Sequence, residues 1–242
     1  MLRTLRLSIF YQLLMSLRMK QALFFTLFFP VFLFVLFGNL WGAGNDAYIP
    51  FILTGILGMT AATEGIFAIG PAVKDYYGSG ILRYFKKLPF PILIHFSGLI
   101  VSQLLMLLLA TAILLLMAQL VFGLSITLAL LGRVAAGVSI GVVLFGFIGL
   151  ATAFLTIRSP TGGGQKGGLA NFVYYVVVFL SNAFYPIADV NVVFEQASYW
   201  SPMNPILNLM RGEAVAWLPL ALWLAVGIGV FLYRFRRFTS AR

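Results

Sequence analysis

At 242 residues, 62% hydrophobic and only 9% charged, the chain lies far from the roughly 25% charged residues of an ordinary soluble domain. A soluble core of this size cannot hide 24 Phe without leaving aggregation-prone patches, so the composition belongs in a bilayer. The absence of Cys excludes disulfides and thiolate metal sites within the chain but leaves the redox compartment open, and the net charge of +10 has to be read by position before it is read as a nucleic-acid footprint.

In MLRTLRLSIFYQLLMSLRMK, Thr4, Ser8, Gln12, Ser16 and Lys20 recur every four residues beside Leu, Ile, Phe and Met. That drifting polar ridge predicts an interfacial helix over 1–20, with Arg3, Arg6 and Arg18 snorkelling; extension of the first span is the other reading. Arg18 and Lys20 follow the apolar stretch, and no small-residue cleavage site stands after it, which argues against a signal peptide.

About 20 apolar residues cross the roughly 30 Å hydrocarbon core. On that measure charge-poor runs predict six spans, near 21–41, 48–72, 92–121, 130–156, 169–186 and 214–233. The run 88–132 lacks Asp, Glu, Lys and Arg and is too long for one span; Gly123 and Ser125 mark an outer turn at 122–127. The expected fold class is therefore an all-α membrane protein with six transmembrane helices in a single domain over 1–242. Six spans place 14 of the 16 Lys and Arg on one side, leaving only Arg133 and Arg211 on the other. Such asymmetry predicts cytoplasmic termini, with attraction to anionic membrane lipid as a second effect and no nucleic-acid partner.

Glu64 is the one acid placed well inside a predicted span. A charge in hydrocarbon costs several kcal/mol on any scale, so its carboxyl must be paired, hydrogen-bonded or protonated, and Thr60, one turn away, is a candidate helper. Two readings stand: a polar point on a transport path or latch, and a structural hydrogen bond. Gly55, Gly58, Ala62 and Gly65 form a small-residue stripe on the same helix that admits close helix approach, and Gly137 and Gly141 form a second. His95 is the only histidine and has no second ligand at metal spacing. PTGGGQKGG, at 160–168, lacks the G-K-[ST] order and the preceding strand of a Walker A loop. No metal site, nucleotide site or catalytic group is predicted in this chain.

GSGILRYFKKLPFP, at 78–91, sets Arg83, Lys86 and Lys87 among Ile81, Leu82, Tyr84 and Phe85. GILRYFKKLP resembles the cytoplasmic loop of type 2 ABC exporter permeases, with Gly80, Leu82, Phe85 and Pro89 on the motif. SNAFYPIADVNVVFEQASYWSPMNPILNLMRG, at 181–212, resembles the same family's outer segment, with Phe184 and Pro186 leaving the fifth span and Met203, Asn204 and Pro205 opening the return. Two positions depart from the pattern: Asn191 replaces a second proline, and Leu88 replaces Ser or Thr before Pro89. The basic loop is more similar to the antibiotic-export branch than to the polysaccharide branch.

The resemblance implies a coupling helix within 74–91 that seats on a separate ABC ATPase dimer through Gly80, Leu82, Arg83, Phe85, Lys86, Lys87 and Pro89. It also implies a re-entrant outer helix pair over 186–213 that includes Trp200 and Pro202. A second permease chain, identical or paralogous, completes the unit, and ATP and Mg belong to the ATPase. The implied activity is export of a hydrophobic or amphipathic substrate (drug, lipid or glycolipid-like) across the cytoplasmic membrane. Read without the resemblance, the three loop cations only mark the cytoplasmic side. A secondary transporter or channel would call for several intramembrane charges and inverted repeats, where this sequence offers Glu64; a structural membrane protein is the remaining alternative.

Overall fold

The computed structural model describes residues 2–42, 44–45, 47–78, 92–155, 168–187 and 192–240. Among them there are helices and connecting turns and no strands. Among the described residues four helical runs are long and apolar enough to cross a membrane: Phe24–Trp41, Tyr48–Val73, Ser97–Phe122 and Leu128–Ala153. Where six spans were expected, the last two correspond to the shorter apolar helices Gly168–Phe179 and Trp217–Tyr233. The former has only 12 residues, about 18 Å of helix at 1.5 Å per residue.

The amphipathic start is α1 (Leu2–Arg18). Met19, with an extended ψ of 96°, separates it from α2 (Lys20–Leu23), so it is a helix of its own and not a straight extension of the first apolar run. α2 continues through a π-helical stretch, Phe24–Phe28, into α3 (Phe29–Trp41). The second run is built the same way: α4 (Tyr48–Thr63), a π-helical stretch Glu64–Ile69, then α5 (Gly70–Gly78). Each π stretch ends two residues before a proline, Pro30 and Pro71. A proline inside a helix lacks the donor for the i−4 carbonyl, and its ring collides with that carbonyl. A widened turn just upstream relieves both. Pro50, Pro205 and Pro219 instead sit in the first turns of their helices, where the missing N–H would have had no partner.

α6 (Ile92–Phe122) and α7 (Leu128–Leu155) meet through a turn whose Gly123 adopts φ +67°. After α8 (Gly168–Phe179) come the two short helices α9 (Val192–Tyr199) and α10 (Asn204–Arg211), then α11 (Trp217–Ser240).

Twelve of the 16 residues of α4 are buried, which makes α4 the central element. Because lipid is as apolar as a leucine side chain, close packing of small residues is what draws such helices together. Gly65 lies against Phe145 and Gly146 of α7, and Gly70 against Gly149. A Cβ added at Gly149 would stand 2.5 Å from the Gly65 carbonyl oxygen. α3 reaches α6 where Phe34 meets Phe122 edge to face at 5.3 Å, and α1 reaches it where Ser8 lies against Gly98. Hydroxyls on these helices return to their own backbone, as Thr111 does to Leu107 O at 2.8 Å and Ser139 to Ala135 O at 2.7 Å, so they cost little in an apolar medium.

Candidate functional site

Between the α2–α3 run, α4 with its π stretch, and α8 lies a cleft of ≈ 940 Å³. Glu64 lines it and is itself 5% exposed. Its Oε1 accepts a hydrogen bond from the Thr26 hydroxyl across the helix pair. Both partners stand in π-helical stretches. Thr60 also lines the cleft, but its hydroxyl donates to Ile56 O at 2.7 Å, so the helper expected one turn away is replaced by Thr26. The reason is directional: a threonine inside a helix is held by the carbonyl four residues back, which turns Oγ1 away from Glu64. Thr63 is tied likewise to Met59 O, and its hydroxyl meets that of Tyr174 of α8 at 3.1 Å. Tyr174 packs edge to face on Phe67 at 5.2 Å. The cleft wall thus carries one carboxyl, several hydroxyls and a belt of aromatic rings.

A second polar assembly ties α9 and α10 to the rest. Asn204, buried at the start of α10, accepts a hydrogen bond from Asn182 N at 2.8 Å through Oδ1 and donates through Nδ2 to Ser198 O at 2.7 Å. Asn182 Oδ1 in turn accepts from Ile187 N at 3.1 Å. At the other end of α10, Arg211 Nε donates to Thr54 Oγ1 at 3.0 Å, and Nη2 donates to Phe51 O at 3.1 Å and Asn182 O at 2.7 Å. The guanidinium also stands 4.0 Å from the Phe51 ring centroid. Arg211 therefore joins α4, the turn after α8 and α10 in one knot. Gly55 makes that knot possible, because its missing side chain leaves room for the Ala183 carbonyl.

The other outer-segment residues fall around this knot. Phe184 packs edge to face on Phe37 at 5.6 Å and reaches the cleft. Pro186 is exposed in the turn, whereas Pro202 is buried in the bend between α9 and α10 and Pro205 in the first turn of α10. Trp200 is half exposed, and its carbonyl accepts from Trp223 Nε1 of α11 at 2.8 Å. Gly80, Leu82, Arg83, Phe85, Lys86, Lys87 and Pro89 lie outside the described residues. Sequence reading missed Thr26, Tyr174 and Arg211. Thr26 is signalled only by a proline four residues later; Arg211 is one of the two cations that the six-span reading of the sequence leaves apart from the other 14, and that isolation marks it.

Compared with known families, residues 4–213 match the one described as ABC-2 type transporter. No curated protein matches the chain.

Proposed function

We infer that this chain, which belongs to the ABC-2 type transporter family, is the permease subunit of an ATP-driven exporter. The match over 4–213 carries the inference; families of this kind supply the membrane path, and ATP hydrolysis with its Mg belongs to a separate subunit. In this reading two permease chains and an ATPase dimer form the unit. Each permease crosses the cytoplasmic membrane six times with both termini inside and moves a hydrophobic or amphipathic substrate outward. The size and aromatic lining of the Glu64 cleft support that substrate class, since drug-sized sites are largely apolar with few polar groups.

The segment at 74–91, whose first residues close α5, is the coupling element of the proposal. Ile81, Leu82 and Phe85 supply an apolar plug between Gly80 and Pro89, while Arg83, Lys86 and Lys87 meet an acidic rim on the ATPase. Like charges across an interface cost several kcal/mol, and each 1.4 kcal/mol is tenfold in affinity. Changing Arg83, Lys86 and Lys87 together to Glu is therefore expected to lower ATPase copurification at least about tenfold, with the permease still inserted. Undiminished copurification would refute the docking role.

α9 and α10 form the outer, re-entrant pair of the proposal. Exposed Glu195 and fully buried Leu207 support different accessibilities within one segment. With no native Cys, a membrane-impermeant maleimide added outside is expected to modify Glu195→Cys readily and Leu207→Cys poorly or only during turnover. Equal fast labelling would remove the segment from the transport path.

A further inference from the structure

We propose that the cleft at Glu64 binds a lipophilic monocation, an apolar body bearing one protonated or quaternary nitrogen or an equivalent centre, with the Glu64 carboxylate as its counter-charge. The inference rests on the permease reading and narrows it to a substrate class.

Three independent features converge here. The first is an acid without a counter-charge: among the described residues Glu64 takes its hydrogen bond from Thr26, and no Lys, Arg or His forms an ion pair with it. A buried carboxylate with a single neutral donor keeps most of its attraction for a cation. Among the described residues the other charged side chain on the cleft is Lys20, at the start of α2 and exposed, where water screens it, and the remaining titratable groups lining it are the Tyr174 and Tyr175 phenols.

The second feature is the aromatic wall. Phe25, Phe29, Phe67, Tyr174 and Tyr175 all face the cleft. The Phe67 and Tyr174 rings stand 5.2 Å apart, and Tyr174 and Tyr175 5.5 Å apart. Ring faces attract cations and ring bodies accept apolar groups, so a wall of this kind combined with one acid selects charge sign and greasiness together. An anion would face the carboxylate and the negative ring faces and is rejected. The third feature is the backbone: Glu64 and Thr26 each occupy a π-helical stretch, a local geometry concentrated at functional sites, and the volume of ≈ 940 Å³ lies in the range of about 300–1,000 Å³ for drug-sized ligands.

Two probes of one shape and opposite charge test the idea: radiolabelled tetraphenylphosphonium and tetraphenylborate, binding to the full-length permease copurified with its ATPase in detergent. Saturable binding of the phosphonium is expected, undisplaced by the borate. Glu64→Gln is expected to weaken it at least about tenfold, the scale of one charge-assisted contact, and Glu64→Asp to retain part of the affinity, which separates loss of charge from loss of fold. Tyr174→Leu is expected to weaken it several-fold with Glu64 intact. No saturable phosphonium binding to the wild-type complex, equal affinity in Glu64→Gln, or borate binding as tight as phosphonium would each overturn the proposal. Copurification of the ATPase is scored on the same samples: its presence beside a failed binding assay sinks the cation site alone, and its absence from the wild type sinks the permease reading.

Discussion

Gly55→Leu is expected to leave little or no monodisperse protein after detergent extraction. The Cβ of any residue at 55 falls on the Ala183 carbonyl, which is backbone and cannot swing aside as a side chain would. α4 and the turn after α8 must then separate. That separation also pulls on the Arg211 bonds to Phe51, Thr54 and Asn182. Overpacking a well-filled site costs about 1–3 kcal/mol and occasionally more, and Gly55→Ala, the mildest replacement, is expected near 3 kcal/mol on that scale. Helix propensity alone argues the reverse, since alanine is favoured over glycine by up to about 1 kcal/mol. Gly132 in α7 supplies the comparison because a Cβ there meets nothing within 4 Å. Gly132→Ala is expected to match or exceed the wild-type melting temperature, and Gly55→Ala to fall well below it. If the two variants melt together, close approach at Gly55 contributes nothing.

Arg211→Met is the second large effect. The change preserves length and apolar bulk while removing three donated hydrogen bonds, two of them to backbone carbonyls. A hydrogen bond involving a charged group contributes about 1.5–3 kcal/mol, and an acceptor stranded without a donor loses its hydration uncompensated. A net loss of about 3 kcal/mol or more is expected. Arg211→Lys keeps the charge and loses the planar fork that reaches Thr54, Phe51 and Asn182 together, so it is expected to melt between the wild type and the Met variant. That order, measured by intrinsic fluorescence in one detergent, checks the role; a Met variant as stable as the wild type would show that the knot is held by Asn204 and packing alone.

The membrane class is legible in composition, because 62% hydrophobic residues have no other accommodation. The apolar runs of α3, α4, α6 and α7 are legible too, since an uncharged run of about 20 apolar residues suits a bilayer crossing and little else. The short α8 is legible in part: Ser181 and Asn182 interrupt the apolar run before Phe184, and the helix stops at Phe179 just short of them, with Ser181 Oγ donating to Val178 O and Asn182 Oδ1 accepting from Ile187 N. The stop is reinforced by a long-range partner, Asn204, whose Oδ1 accepts from Asn182 N, and that contact leaves no period in the sequence. Glu64 stands out because a lone acid in an apolar run always demands a partner, yet its partner is not the one that spacing suggests. Local spacing can nominate Thr60; only the packing of α2–α3 against α4 brings Thr26 across 38 residues. Arg211 is conspicuous in the sequence for its distance from the other cations and not for its contacts, since a buried knot of backbone carbonyls has no sequence signature.

The widened turns at Phe24–Phe28 and Glu64–Ile69 set the rotational phase of everything that follows them. A π turn holds one residue more than an α turn, and one residue of α-helix corresponds to about 100° of rotation and about 1.5 Å of rise. Closing the second turn to α geometry would therefore screw α5 through about a quarter revolution against α4, while Thr60 and the residues before it kept their bearings. Hydrogen-bond register changes only by whole residues, so each widened turn fixes one discrete bearing for the helix that follows it. Glu64 is the first residue of the second widened turn, so the placement of its carboxyl and the bearing of α5 are set by one local geometry.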